Sequence, residues 1–304
     1  MKPRIVFMGS PDFALPSLRA LDEHFCVVGV VTQPDRPAGR GREMRPPDVK
    51  VLAEELALPV IQPKTLKSQE ALAQLEVWAP DVIVVAAFGQ ILREAVLNLP
   101  PFGCVNVHAS LLPRWRGASP VQAAVLNDDM TGVTIMMMEK GLDTGPILSQ
   151  RVVEILADQT AGELFDELAE MGAELLVETL PGYLSGEIVP QPQDDSLATY
   201  APKIEKADGE LDLAEPADFL ARMVRAYSPW PGTFQFFEEA YLKVHRASAV
   251  LFRNAVPGKR YIYEDKPAWG TGEGLLVLDE VQLAGKSKVS GEAFLRGAKN
   301  WLAD

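Results

Sequence analysis

The sequence predicts an α/β fold: a doubly wound, mostly parallel sheet followed by a small, separate β-barrel. Three observations carry this. Apolar, β-branched runs alternate with amphipathic helical stretches through the first half of the chain. A polar, Pro-containing stretch at 189–209, VPQPQDDSLATYAPKIEKADG, then breaks the rhythm. Beyond it come short strands with Gly-rich turns. Strands that alternate with helices are covered on both faces and run parallel, whereas short strands in succession close into barrels. The boundaries that follow are 1–189 for the first domain, 190–208 for a linker and 209–304 for the second.

Taken in order, RIVFMGS (4–10) reads as a buried strand, and Phe13, Leu15, Leu18 and Leu21 recur at helical spacing after it. CVVGVVTQ (26–33) is a second β-branched run, 47–58 is helical, and PVIQP is a short strand. Residues 67–78 are helical, DVIVVAAF (81–88) is a strongly apolar strand, 90–97 is helical and GCVNVHAS (103–110) is a strand. A helix over 119–127 precedes GVTIMMME (132–139) and PILSQRVVEI (146–155), strands joined by KGLDTG. The Met136–Met138 run reads as core. Residues 160–184 form a long amphipathic helix, with Thr160 as its cap and Glu163 three residues on. After the linker, 215–227 is helical, SPWPG breaks it, and the strands TFQFF, AYLKVHRASAV and GLLVLDEVQL lead to a closing helix over 290–302.

At 304 residues, 47% hydrophobic and 23% charged, the chain is long enough for a sizeable core, and no apolar run is long enough to span a bilayer. The N-terminus carries no signal-peptide pattern, so a soluble cytoplasmic protein is expected, with no membrane partner. Cys26 and Cys104 sit in apolar runs and read as buried thiols of a reducing compartment. The three histidines, at 24, 108 and 245, are scattered, so no metal site is expected. A net charge of −13 argues against a general nucleic-acid binder and leaves only local basic patches for that purpose.

The chemistry concentrates in NVHASLLPRWRGASP (106–120). In a strand, Asn106 and His108 point to the same face, near the strand's C-terminal end, where open α/β sheets bind ligands. A buried, satisfied pair serving the following turn is the competing reading. Asp143, in the Gly-bracketed GLDTG loop, tilts the balance toward chemistry. A carboxylate beside an imidazole orients it and favours its charged form, and an amide with an imidazolium can stabilise an oxygen gaining negative charge. Ser110 is the nearest hydroxyl but lacks a nucleophile elbow, so direct transfer to an acceptor fits better than a covalent intermediate. Pro113 stiffens SLLPRWRG, which could present backbone groups to a flat heterocycle between apolar walls. The same stretch also reads as a plain surface turn.

MGSPDFALPSL (8–18), VVTQPDRPAGRG (30–41), NVHASLLPRWRGASP, TGVTIMMMEKGLDTGPIL (131–148), TYAPKI (199–204) and SPWPGTF (228–234) together resemble the folate-dependent formyltransferases that act on methionyl-tRNA. The SLLPRWRGASP and GLDTG pair is specific to the folate enzymes; the basic loop and the C-terminal half narrow it to the tRNA enzymes. The resemblance implies a Rossmann-like formyltransferase domain and an OB-like C-terminal domain that contacts tRNA. It implies transfer of a formyl group from the cosubstrate 10-formyltetrahydrofolate to the α-amine of methionyl initiator tRNA. By similarity, Asn106, His108 and Asp143 are the catalytic set, and Ser110, Leu111, Leu112 and Pro113, with Phe88 and Gly89 as further walls, line the folate site. The mechanism we expect on that basis is attack by the neutral amine on the formyl carbon, with Asn106 and His108 on the oxyanion and Asp143 holding His108, and a water, to move a proton from the amine to the departing folate nitrogen.

The loop QPDRPAGRGREMRPPDVK (33–50) places Arg36, Arg40, Arg42 and Arg45 among Gly and Pro. It is either a solvated basic loop or an arm for the tRNA acceptor end, with Arg42 foremost by resemblance. Lys243, Lys286 and Lys288, with His245 and Arg246, would extend a basic channel along a C-terminal half that is itself close to neutral. A monomer is expected. The rival readings are a formyltransferase or hydrolase acting on a small amine or on water, and a non-catalytic binding protein on the same scaffold. The first has less need of the Arg-rich loop, and the second would be expected to break the trio.

Overall fold

A computed structural model describes residues 2–38 and 43–302 as two compact units. The first comprises the residues up to Pro120, Met130–Glu154 and Phe165–Ala201. The second comprises Val121–Asp129, Ile155–Leu164 and the residues from Pro202 onward.

The elements run β1 (Arg4–Gly9), α1 (Leu15–His24), β2 (Cys26–Val31), β3 (Arg36–Ala38), β4 (Glu43–Arg45), α2 (Asp48–Glu55), β5 (Val60–Ile61), α3 (Gln69–Trp78), β6 (Val82–Ala86), α4 (Glu94–Leu97) and β7 (Cys104–His108). They continue with β8 (Arg116–Gly117), α5 (Pro120–Asn127), β9 (Met130–Met137), β10 (Ile147–Glu154), α6 (Ala161–Ser185) and β11 (Tyr200–Ala201). The main sheet has the order β10-β9-β7-β6-β1-β2-β5. The pairs from β5 to β7 are parallel; β9 joins β7 antiparallel and β10 follows antiparallel. Parallel order therefore ends at β7, the strand that carries Asn106 and His108.

Every residue of β6 and β7 is buried, as their unbroken apolar runs require of strands covered on both faces. One face packs Val6, Met8, Ile83, Val85 and Cys104 against Leu75 and Trp78 of α3 and Val96 and Leu97 of α4. On the other face α6 crosses close to Val107 and Val133 at Gly172, where a Cβ would lie 2.7 Å from the Val107 side chain. Cys104, Asn106 and His108 thus share the first face. They lead in single file from the core, where the Cys104 thiol touches the Val96 carbonyl, to the C-terminal edge.

Several expectations change. Cys26, the first residue of β2, is exposed, whereas Cys104, the first residue of β7, is buried beneath α4, where its thiol meets the Val96 carbonyl. Helix α4 spans one turn, not all of 90–97. The 33–50 loop holds a short hairpin, β3 paired antiparallel with β4. The capping box is present: the Thr160 N–H donates to Glu163 Oε2 (2.9 Å) and the Glu163 N–H to Thr160 Oγ1 (3.3 Å). The segment 190–201, polar and without period, is fixed to the first unit through β11, which pairs parallel with β8.

In the second unit, α7 (Ala217–Ala226) is followed by β12 (Thr233–Phe237), β13 (Ala240–Val250), β14 (Arg260–Tyr263), β15 (Lys266–Gly270), β16 (Leu275–Leu283) and β17 (Val289–Ser290), with α8 (Gly291–Gly297) last, and α7 packs against β13 and β16. The closing helix is shorter than 290–302, capped by Ser290, whose hydroxyl accepts from the Ala293 N–H. The sheet is antiparallel throughout, in the order β12-β13-β16-β15-β14 with β17 on β16. Register shifts near Arg246 mark irregularities in β13; such bulges bend and twist a strand. Trp269 and Trp301, with ring centroids 5.6 Å apart, fill its core with Phe237 and Phe294.

Candidate active site

The period-two reading of β7 holds: Asn106 and His108 lie on one face, 8% and 6% exposed. Opposite His108 on β9 stands Thr134, fully buried. Its hydroxyl donates to the Ser110 carbonyl (2.6 Å) and accepts from the Leu112 N–H (3.1 Å) and the Gln150 amide (2.8 Å). Gln150 also donates to the Leu112 carbonyl (2.9 Å). One buried Thr and one Gln therefore fix the backbone from Ser110 to Leu112 from below. The Ser110 hydroxyl donates to the Arg114 carbonyl (2.7 Å), so it closes the loop and is not presented as a nucleophile. The Leu112–Pro113 peptide is cis. Leu112 is buried; Leu111 and Pro113 are half-buried.

The loop then turns through Trp115, which has φ +58°. Its carbonyl accepts from His108 Nε2 at 3.1 Å. A carbonyl only accepts, so Nε2 carries the hydrogen and Nδ1 is the nitrogen left for chemistry. Nδ1 lies 3.8 Å from Asp143 Oδ2. That is an ion-pair distance when the ring is charged and too long for a direct hydrogen bond. Asp143 is fixed independently: Oδ2 accepts from the Gly117 N–H at 2.8 Å. Residue 117 must be Gly, because φ is +120° and a Cβ there would lie 2.5 Å from the Ala201 carbonyl oxygen. Among the described residues nothing bonds the Asn106 amide. The constellation thus offers an unspent amide, an imidazole with one free nitrogen and a carboxylate 3.8 Å from it.

Neighbouring strand ends close the same edge. The Phe88 carbonyl accepts from Gln33 Nε2 (3.0 Å), and Ser10 Oγ accepts from the Gln33 N–H (3.1 Å), tying the loops after β1, β2 and β6 together. Phe88 is buried and Gly89 is exposed with φ +76°. Gln62 and Lys50 hold Asp35 at 2.6 and 3.0 Å, and these bonds keep its carboxyl below the usual carboxylate value. Arg36 donates to Gln33 Oε1 (2.9 Å) and stands directly across the hairpin from Arg45. Arg40 and Arg42 lie outside the described residues. Lys243 and Lys286 are exposed; Lys288 is half spent on Glu280 at 2.9 Å. His245 meets Gln282 at 3.2 Å, and Arg246 is exposed. The first-unit trio is brought together in one place, whereas Lys243, Lys286 and Lys288 belong to the second unit.

Sequence reasoning did not single out Thr134, Gln150, Gly117, Gln193 or Thr199. A Thr inside the apolar run of β9 was the one legible signal, since a buried hydroxyl needs partners.

The family model described as formyl transferase matches residues 3–180, and that described as formyl transferase, C-terminal domain, matches residues 203–299. The methionyl-tRNA formyltransferase of Citrifermentans bemidjiense is 46% identical over 298 residues, covering 97% of this chain and 94% of its own. That of Roseiflexus sp. is 48% identical over 304 residues, covering 98% and 94%. Among solved structures, the N-formyltransferase of Helicobacter canadensis, in complex with folinic acid and dTDP-3-aminofucose, is similar in fold. Its TM-score is 0.66 at 16% identity, over 94% of this chain and 100% of that one.

Proposed function

The chain belongs to the formyl transferase family and, within it, to the methionyl-tRNA formyltransferases; we propose that it moves the formyl group of 10-formyltetrahydrofolate onto the α-amine of methionine carried by initiator tRNA, as a cytoplasmic monomer. The observation that carries this is the assembly of Asn106, His108 and Asp143 at one sheet edge in a chain nearly half identical to those enzymes over almost its whole length.

The cosubstrate supplies the activated one-carbon group; the chain supplies orientation, charge stabilisation and proton movement. The Ser110–Pro113 backbone, held rigid by Thr134 and Gln150, faces a flat heterocycle together with Phe88 and Gly89. Asn106 donates to the oxygen that gains charge as the amine attacks, a contribution of about 10²–10³ in rate. Through Nδ1, since Nε2 is committed to the Trp115 carbonyl, His108 moves the proton given up by the attacking amine to the folate nitrogen, which departs as its bond to the formyl carbon breaks. Asp143 balances that charge from 3.8 Å. Such acid–base assistance is worth about 10²–10⁴.

The described part of the basic hairpin supports a phosphate-binding role: two like charges face each other across it at Arg36 and Arg45, an arrangement an anion between or beside them would relieve. By resemblance, Arg40, Arg42, Lys243, Lys286 and Lys288 are the further candidate tRNA contacts. The test is formyl transfer from 10-formyltetrahydrofolate to charged initiator tRNA, run beside uncharged tRNA and free methionine. Transfer to the charged initiator alone supports the reading. Folate turnover without it moves the acceptor to a small amine or to water.

A further inference from the structure

The polar segment after α6 reaches back to the site at two points. Gln193 Nε2 donates to the carbonyls of Asp143 (2.8 Å) and Gly145 (2.7 Å). Its Oε1 accepts from Arg116 Nε (3.1 Å) and Nη2 (2.8 Å). This pattern admits one orientation of the amide: turned over, it would set donors against donors and carbonyls against carbonyls. Arg116 is 2% exposed, and its other partner is the exposed carboxylate of Asp195 at 2.8 Å. Six residues on, Thr199 Oγ1 accepts from the Trp115 N–H and the Thr199 carbonyl from the Arg116 N–H, each at 2.9 Å. Trp115 is the residue whose carbonyl holds His108.

Asp143 has φ +54°, the left-handed region that a residue with a Cβ enters only when its surroundings impose it. Its carbonyl and that of Gly145 both converge on Gln193. These two bonds hold the backbone of the loop, as the Gly117 N–H holds the carboxylate itself, so that Asp143 stays turned toward His108.

We propose that Gln193, gripped by buried Arg116, is a positioning residue that sets the backbone of Asp143 and through it the carboxylate facing His108 during formyl transfer. The proposal rests on the formyl-transfer reading. Segment 193–199 is then a strap with two arms, one on Asp143 through Gln193 and one on His108 through Thr199 and Trp115.

Gln193→Glu tests it. The variant keeps the length and an oxygen for Arg116, but turns an oxygen toward two carbonyls. Formylation of charged initiator tRNA is measured alongside both KM values and the melting temperature. The expected result is a kcat lowered about 10- to 100-fold, the effect of misplacing a catalytic group by a fraction of an ångström to an ångström. Both KM values stay within about twofold. In the double variant with Asp143→Asn, the loss should equal that of Asp143→Asn alone, because a missing carboxylate no longer needs placing. A role in stability alone would instead multiply the two losses. Should Gln193→Glu not fold, Arg116→Lys, which cannot grip Oε1 with two N–H groups, is read the same way. An unchanged kcat, or multiplying losses, overturns the proposal while a wild type that still formylates leaves the formyl-transfer reading standing. A wild type without transfer overturns both.

Discussion

The two nitrogens of His108 have different partners, and isosteric substitution separates them. Asn at 108 places an amide N–H near the position of Nδ1; Gln places one near that of Nε2. Nε2 donates to the Trp115 carbonyl at 3.1 Å, and Nδ1 stands 3.8 Å from Asp143. His108→Gln therefore keeps the structural bond and removes the working nitrogen, at a cost of about 10²–10³ in kcat if the lost donor serves the developing charge. His108→Asn keeps a donor at the working position, loses the proton exchange, and is expected to retain about tenfold or more of the activity that His108→Gln loses. Stability runs the other way. His108→Asn strips the Trp115 carbonyl of its partner, which costs about 1–3 kcal/mol for a shielded acceptor. His108→Gln leaves it paired and should be the more stable of the two. Denaturant midpoints and single-turnover formylation, read on the same two preparations, give opposite orders. If His108→Gln matches or exceeds His108→Asn in turnover, Nε2 is the working nitrogen and the assignment from the Trp115 contact is wrong.

Thr134→Val is nearly isosteric but leaves the Ser110 carbonyl and the Leu112 N–H unpaired in the core. At about 1–3 kcal/mol per stripped group, urea unfolding should show a loss of about 2–6 kcal/mol together with a raised KM for the folate; a loss below about 1 kcal/mol would refute the account of the loop. Burial pushes the Cys104 thiol up to about 12, whereas Cys26 is exposed. A disulfide reagent at pH 8 should thus titrate one thiol in the native protein and two after unfolding, and two in the native state would contradict the packing of β7 against α4. Bonds from the Thr160 N–H and hydroxyl hold the Glu163 carboxyl below its ordinary value of 4.5. A depressed folded value means a contribution present above about 4.5 and lost as the pH falls through the lower folded value. Glu163→Gln should accordingly destabilise at pH 7 more than at pH 3, and a penalty that does not change with pH would show that the capping-box charge is idle.

What the sequence made legible is what periodicity and turn residues encode. The apolar runs of β1, β6 and β7 give the sheet, period two puts Asn106 and His108 on one face, and Gly-bracketed Asp143 marks a loop worth attention. The Thr160–Glu163 box starts α6 where it was read. The rest depends on pairings between residues far apart in the chain. Gln193 lies 77 residues from Arg116, inside a stretch whose polarity and lack of period read as linker, and a two-residue strand such as β11 leaves no pattern to find. Cys26 looks like core because its neighbours are apolar, yet at the start of β2 it is exposed, while Cys104 at the start of β7 is buried, a difference no local pattern encodes. Thr134 carries the one local hint, a hydroxyl within an apolar strand, and only the fold says that its partners are Ser110, Leu112 and Gln150.

The site's geometry also explains why so much polar structure is spent behind so few reacting groups. Trp115 and Asp143 both adopt left-handed backbone conformations without being glycine, at φ +58° and +54°, a choice that costs each about 1–2 kcal/mol against an ordinary conformation. Each flanks His108 from a different loop: Trp115 through its carbonyl on Nε2, Asp143 through its carboxylate near Nδ1. Left to local preference, both loops would relax, and the ring would lose one partner on each side. The N–H of Gly117, the hydroxyl and carbonyl of Thr199 and the amide of Gln193 oppose that relaxation, each with bonds of 2.7–2.9 Å. Because these bonds are made before any substrate arrives, the proposed transfer would need little reorganisation as charge develops on the formyl oxygen, and that preorganisation is the condition under which a fixed donor contributes most to rate.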